Sequence, residues 1–449
     1  MLPDPQHHPD NTAARYKRIL LWILILLAAA EFVWRGPRRY FSDPSTWNDL
    51  SQNYTASKLW LKGQSPADPR NFVVLWKKEG RSRLDVDDIR THLAPPLGGL
   101  VVLAPVAALP WRAAKIVWMA LLLASFAATV LALVITSGFR WNELRTLAFV
   151  AACLALAPFQ TGMASGNTSV LVIGLCVVAI WAAQGTNDVS AGILFGLACA
   201  VKPQIGAFLV LYYLLRRRWK LFATALAFTI VLNFVAALYL QMHSTSWVQD
   251  YVHNAKGFVT ANHIDDFTTE NPARFTLINL QVPLYSITGQ SSSANLLSFA
   301  IVGLLICAWI YWLLKKRDSV SESLALAAIS VVALLPVYHR FYDAALLALP
   351  LCWCMANLAG PTRRIAMPSL LLMTPFLLPA AAALQQLAVR GRISSSVSSS
   401  WWWNDLIMPH ETWALLLLFL VLLFGMSSNF PASDQQSMPE RTFGTEFAG

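Results

Sequence analysis

Residues 189–218 read VSAGILFGLACAVKPQIGAFLVLYYLLRRR. Two apolar runs, 189–201 and 204–215, are separated by Lys202-Pro203 and closed by Arg216, Arg217 and Arg218. Proline lacks a backbone donor and crowds the turn before it, so the runs are one long helix broken at Lys202-Pro203 or two separate helices, and the placement of the basic clusters favours two. Runs this apolar, ending on three arginines, have the composition of membrane helices whose basic end stays in the cytoplasm. Lys202 then lies at the opposite end from the arginines. A charge between two apolar segments is expensive in hydrocarbon and marks a place that protein or water must cover.

The rest of the chain extends the pattern. Of 449 residues, 56% are hydrophobic and only 13% charged, with a mean hydropathy of +0.50, which is not the balance of a soluble domain. Apolar runs fall at 18–34, 115–136, 146–159, 169–183, 189–201, 204–215, 221–240, 295–314, 324–337, 344–358, 365–387 and 412–425. They predict an all-α polytopic membrane protein of about 12 transmembrane helices. The formal charge of +10 sits in flanks such as Arg216–Arg218, Lys315-Lys316-Arg317 and Arg363-Arg364, as the positive-inside rule requires, and no nucleic-acid partner is implied. The six cysteines all fall within apolar segments and have no metal-ligand spacing.

Residues 1–17 read as a cytoplasmic tail, 18–426 as the transmembrane domain and 427–449 as a disordered Ser-, Pro- and Gln-rich tail. The first run, RYKRILLWILILLAAAEFVW, is followed by no small-residue cleavage pattern and is read as a retained helix. With Arg18 inside, parity puts the basic connectors, including 137–145, on the cytoplasmic side. That count requires APPLGGLVVLAPVAALP, 94–110, to be a re-entrant or half-depth segment, and its prolines and glycines suit one. Two long outer loops, 35–92 and 243–293, then share the far face with the turn TGMASGNTS, with Lys202-Pro203 and with VYHRFYD. Within the first loop, residues 50–62 have the spacing of an amphipathic helix lying on the membrane surface.

Three stretches carry a family likeness in a constant order. WNDLSQNYTASKLWLKG, 47–63, offers an Asp, an aromatic about five residues on, a small residue, leucines and a Gly: Asp49, Tyr54, Ala56, Leu59, Leu61 and Gly63. GNTSVLVIGLCVVAIWAAQ through VKPQIGAFLVLYYLLRRRWK, 166–220, gives a Gly-polar turn, a helix, a Gly-rich helix, Lys-Pro and a basic end. LLPVYHRFYDAALLALP, 334–350, places His339-Arg340 before an apolar helix. Together they resemble glycosyltransferase family 87 of the GT-C superfamily, the group of integral membrane enzymes that use polyprenyl-phosphate sugars, many of them mannosyltransferases. This chain departs from the pattern in carrying Gly166-Asn167 where a Gln is usual, and His339-Arg340 where two histidines are. The family's polar motif of the middle outer loop is not recoverable from TENPARFTLINLQ, 269–281.

The resemblance implies a GT-C fold with a helical first outer loop. It further implies transfer of a mannose-like hexose from a polyprenyl-phosphate donor to a lipid or cell-envelope glycan acceptor, at the non-cytoplasmic face of the cell membrane. No cofactor or metal is implied. The leaving group is already a phosphate, so one carboxylate base suffices, with cations or donors to meet the developing charge. Asp49 is the base the resemblance points to; on residues alone it is equally a helix N-cap. His339 and Arg340 are candidates for the leaving phosphate, or else an interfacial cluster with Tyr338 and Tyr342, and Asp343 is a partner for Arg340. Lys202 could reach phosphate or sugar, or snorkel to headgroups. Asn167, Tyr54 and Tyr342 complete the candidate substrate-binding set, although Asn167 is also ordinary turn chemistry. Trp401–Trp403 read as an interfacial aromatic belt. Asp85, Asp87, Asp88, Asp265 and Asp266 could hold a divalent ion, but their spacing is loose and a solvated face is the better reading.

Two other classes fit part of the pattern. A transporter or flippase of a lipid-linked substrate also has broken helices and an intramembrane lysine. The two halves of the chain show no repeat, and the outer loops are asymmetric. A related GT-C enzyme acting on protein, lipid A or an envelope polymer is the third reading.

Overall fold

The computed structural model describes residues 11–42, 48–78, 95–258 and 265–428. Asp85, Asp87 and Asp88 lie outside the described residues. Among these residues the architecture is all-α, with no strand and a single antiparallel bridge between Leu277 and Arg340.

Helix α1 (Asn11–Val33) continues through a π-helical turn, Trp34–Arg38, that accommodates Pro37. There follow α2 (Asp49–Leu61), α3 (Pro69–Lys78), the short α4 (Leu97–Ala107) and the long α5 (Trp111–Thr136). Helices α6 (Leu144–Ala155) and α7 (Ala157–Ser165) are bent by 43° around Leu156 and Pro158. The central trio is α8 (Ser169–Gln184), α9 (Asp188–Val201) and α10 (Pro203–Leu215). The break between α9 and α10 falls at Lys202-Pro203, where proline opens the second helix at a position whose N–H has no intrahelical partner. The chain goes on through α11 (Trp219–His243), α12 (Trp247–Phe258), α13 (Gln281–Thr288), α14 (Ser291–Lys315) and α15 (Glu322–Val332). It ends with α16 (Ala348–Ala356), α17 (Arg363–Met373), α18 (Ala380–Val389) and α19 (His410–Ser427).

The helices fall into two classes that composition does not separate. Among the described residues, five helical stretches are long and apolar enough to cross a membrane, or up to seven if each bent pair is one span. Six more apolar helices of 10–17 residues, among them α8, α9, α10 and α15, fall short of that length, so the dozen spans expected from hydropathy are not confirmed. The most hydropathic window of α11 is only 17% buried within the protein and that of α14 only 22%, as lipid-facing helices should be. By contrast α8 and α15 are apolar on every side because protein surrounds them, with Val170, Val172, Ile173, Cys176 and Val177 of α8 fully buried. Helices α9 and α10, of 14 and 13 residues, are about 20 Å long at 1.5 Å per residue, short of a hydrocarbon core about 30 Å thick. Small residues let these helices approach closely. A Cβ on Gly192 of α9 would lie 2.7 Å from the Leu221 carbonyl of α11.

The basic connectors gather at one end of the bundle. Arg18 donates to the Asn142 carbonyl at 3.0 Å, Arg216 to the Arg317 carbonyl at 2.6 Å, and Arg218 Nε to Asp188 at 3.0 Å. Lys316 reaches the Ser427 carbonyl. The tip of the α9–α10 hairpin, Lys202, is at the other end.

One local expectation is corrected. Residues 50–62 are not a surface helix: Leu50, Tyr54, Ala56, Leu59 and Trp60 of α2 are buried, and α4 and α3 cover that face. The segment 94–110 holds α4, whose 11 residues are too short to cross. It wedges between α2, α9 and α11, and the Gly98 N–H donates to Asn233 Oδ1 of α11 at 3.0 Å.

Candidate active site

Six chain segments meet at the end of the bundle remote from the basic connectors and enclose a cavity of about 450 Å³. Asp49, Gln52 and Asn53 come from α2, Pro96, Leu97 and Leu103 from the α4 segment, and Asn167 and Thr168 from the turn before α8. The α9–α10 tip gives Lys202 and Gln204. Tyr251 and Asp265 come from the middle loop region, and Tyr338, Arg340, Tyr342 and Asp343 from the stretch before α16. Pro96, Leu97, Leu103, Val201 and Pro203 give the lining its apolar part beside these polar groups.

The first turn of α2 sets Asp49. Asn48, not Asp49, is the N-cap: its side chain accepts from the Ser51 N–H at 2.9 Å, and Ser51 Oγ accepts from the Asn48 N–H at 2.9 Å. Asp49 is thereby released from capping. Its carboxylate accepts instead from Asn167 Nδ2 at 2.8 Å, across 118 residues of sequence, and lines the cavity. Asn167 is held in turn, because its Oδ1 accepts from the Ser169 N–H at 2.8 Å.

The turn that delivers Asn167 depends on Gly166. Its φ is +66°, a left-handed C-cap that side chains with a Cβ rarely adopt. A Cβ there would also lie 2.9 Å from Tyr40 Cε2 and 3.0 Å from Leu50 Cβ. Gly166→Ala is therefore expected to lower stability by about 1–3 kcal/mol and to displace Leu50 with its neighbour Asp49. Thermal unfolding in detergent together with sugar-transfer rate tests this: an unchanged melting temperature and full activity would contradict the role given to the turn.

Asp343 is the hub of the polar groups and is fully buried. One oxygen meets Lys202 Nζ and Ser169 Oγ; the other lies 3.0 Å from His339 Nδ1 and accepts from the Arg340 N–H at 3.3 Å. Lys202 Nζ also donates to Ser169 Oγ at 2.6 Å and sits 5.1 Å from the centre of the Tyr342 ring. Asp343 thus pairs with Lys202 rather than with the Arg340 guanidinium. Arg340 Nε instead donates to Asp265 at 3.0 Å. Burial works against the charge on Arg340, but Tyr342, Asp265 and Asp49 around it outweigh burial and hold its pKa above the usual arginine value.

Lys202 and Arg340 both have carboxylate partners, so the cavity's attraction for an anion needs another source. The helix ends supply it. Helices α2, α4, α8 and α10 all begin at the cavity wall, at Asp49, Leu97, Thr168-Ser169 and Pro203 respectively. Each brings the positive end of a helix dipole to the cavity wall, while first-turn N–H groups of α2, α4 and α8 are already taken by Asn48, Asn233 and Asn167.

Of the expected site residues, Asp49, Asn167, Lys202, Arg340 and Tyr342 are brought together on this cavity. Two are not. His339 has no exposed surface and lies behind Asp343, its carbonyl fixed by the Ile278 N–H at 2.9 Å and its ring against the Asp343 carboxylate. Tyr54 is 2% exposed, donates to the Leu109 carbonyl at 2.8 Å and packs on Trp111, which makes it a strut between α2 and α5. Ser169, Asp343 as a hub, Asp265, Gln52 and Gln204 escaped sequence reading. Among the described residues no group of three or more His, Cys, Asp or Glu side chains could hold a metal ion.

A family model, Glycosyltransferase family 87, matches residues 95–350, more than half of the chain. No curated protein and no solved structure matches it.

Proposed function

The chain belongs to glycosyltransferase family 87, and from that premise we propose that this membrane glycosyltransferase takes a mannose-like hexose from a polyprenyl-phosphate carrier. It passes the sugar to a lipid or envelope-glycan acceptor at the non-cytoplasmic face of the cell membrane, on a GT-C type fold. Asp49 is the general base. The observation that carries the reading is the meeting, in one partly apolar cavity, of a carboxylate excused from capping and a ring of anion-attracting groups.

The chemistry follows from that layout. The donor phosphate lies toward Arg340 and the helix N-termini, with its lipid chain along the apolar part of the lining. Asp49 takes the proton of the acceptor hydroxyl as that oxygen bonds to the anomeric carbon. The bond from that carbon to the phosphate oxygen breaks, and its electron pair stays on the phosphate. The charge that develops there is met by Arg340 and by dipoles already in place, which need no reorganisation. Lys202 and Tyr342 shape the floor of the cavity. Family membership displaces the transporter reading, for which no feature of the cavity speaks.

The test uses the full-length protein in liposomes with radiolabelled undecaprenyl-phosphate mannose and a membrane-lipid extract. The expected result is label in a product lipid or glycan. Movement of the intact carrier across the bilayer with no labelled product would overturn the reading. Sidedness is read separately. Among the described cysteines only Cys307 is exposed, so Lys62→Cys in a Cys307→Ser background is expected to react with an impermeant maleimide from the non-cytoplasmic side alone. Labelling only from the cytoplasmic side would contradict the proposed orientation.

A further inference from the structure

Four side-chain amides line the cavity, those of Gln52, Asn53, Asn167 and Gln204, and they are not equivalent. Asn167 is committed at both ends, to Asp49 and to Ser169. Asn53 donates back to the Asp49 carbonyl at 2.9 Å. Gln52 and Gln204, both half-buried, have no side-chain partner among the described residues. In a partly enclosed cavity an amide without a partner is under-satisfied unless a ligand or water completes it.

We propose that Gln52 and Gln204 read the hydroxyls of the transferred sugar and so set which hexose this enzyme accepts; the assignment rests on the transfer reaction proposed above. A carboxamide is neutral and offers both a donor and an acceptor, which is the complement of a sugar hydroxyl and a poor match for a phosphate. Position separates the two residues along the ligand. Gln52 follows Asp49 by three residues and shares its face of α2, beside the base and therefore beside the anomeric end. Gln204 adjoins Lys202-Pro203 at the start of α10, on a different segment of the wall. A hexose placed between the phosphate site and Asp49 is bracketed by the two amides, and each reads a different hydroxyl.

Neither residue belongs to a fixed network, so truncation leaves the fold intact. The experiment measures dissociation constants of undecaprenyl-phosphate mannose, glucose and galactose for the purified protein, and of the four monodeoxy analogues of the tightest. The wild-type protein is expected to reject at least two of those analogues by about 10- to 100-fold, the penalty of leaving an amide unpaired. In Gln52→Ala the penalty for one missing hydroxyl falls to within about threefold of unity, and in Gln204→Ala the penalty for a different one does, while the remaining penalties stay. Full discrimination retained in both variants would overturn the assignment and leave the transferase reading untouched. Failure of the wild-type protein to bind any of the three carriers would remove that reading and the assignment with it. Melting temperatures equal to wild type exclude a folding defect.

Discussion

Asparagine in place of Asp49 is expected to lower sugar transfer by about 10²- to 10⁴-fold, the usual worth of a positioned general base, while leaving the protein folded. The structure explains why the two effects separate. Asn48 and Ser51 cap α2, so the helix does not rely on the Asp49 side chain. An asparagine carbonyl can still accept from Asn167 Nδ2, now 2.8 Å from the carboxylate, so shape and hydrogen bond both survive and only the proton acceptor is lost. Donor affinity should change less than about threefold, because the proposed phosphate site is centred on Arg340 and the Asn167 hydrogen bond is kept. The measurements are the single-turnover rate, the donor dissociation constant and the melting temperature. A fall in rate of under fivefold, with donor saturating, would remove Asp49 from the role of base. A parallel loss of melting temperature and rate would turn it into a structural residue.

The same site shows what a sequence can and cannot disclose. The break at Lys202-Pro203 was legible because proline acts through its own backbone, whatever surrounds it. The short α4 was legible for a related reason, since its prolines and glycines limit any helix there. The number of membrane spans was not. Hydropathy reports that a segment avoids water but does not say whether lipid or protein covers it, so it does not separate α11 and α14, with little of their surface buried, from α8 and α15, which protein surrounds. Cavity residues divide along similar lines. Asp49 and Lys202 stand out because a charge beside apolar sequence is conspicuous. Ser169 and Gln52 have no such contrast with their neighbours, and only the approach of α2 to the α8 turn gives them meaning. His339 and Tyr54 err in the other direction. A motif does not say whether a side chain faces the cavity or the packing behind it.

The largest loss of stability is expected from Asp343→Ala. This carboxylate is 1% exposed and answers Lys202, Ser169, His339 and the Arg340 N–H together. The Lys202 side chain is only 13% exposed. Removing the carboxylate leaves an ammonium buried without a counter-charge, which costs about 3–5 kcal/mol. Replacing the whole pair is a different matter: Lys202→Met with Asp343→Leu removes both charges, and buried pairs exchanged for apolar residues of similar volume often lose nothing. The double variant is therefore expected to melt well above Asp343→Ala, yet below wild type, because Ser169, His339 and the Arg340 N–H still lack their acceptor. Unfolding of both single variants and the double variant in detergent gives the coupling free energy, and near-additive losses would contradict a mutual role. Restored stability should not restore transfer. Asp343 also fixes Ser169, and through Asn167 that chain of hydrogen bonds reaches Asp49, while its contact with the Arg340 backbone positions the cation on the phosphate side. A stable but inactive double variant would show that the buried pair is retained for the placement of base and phosphate site relative to one another. Recovery of activity along with stability would show that the helices alone place them.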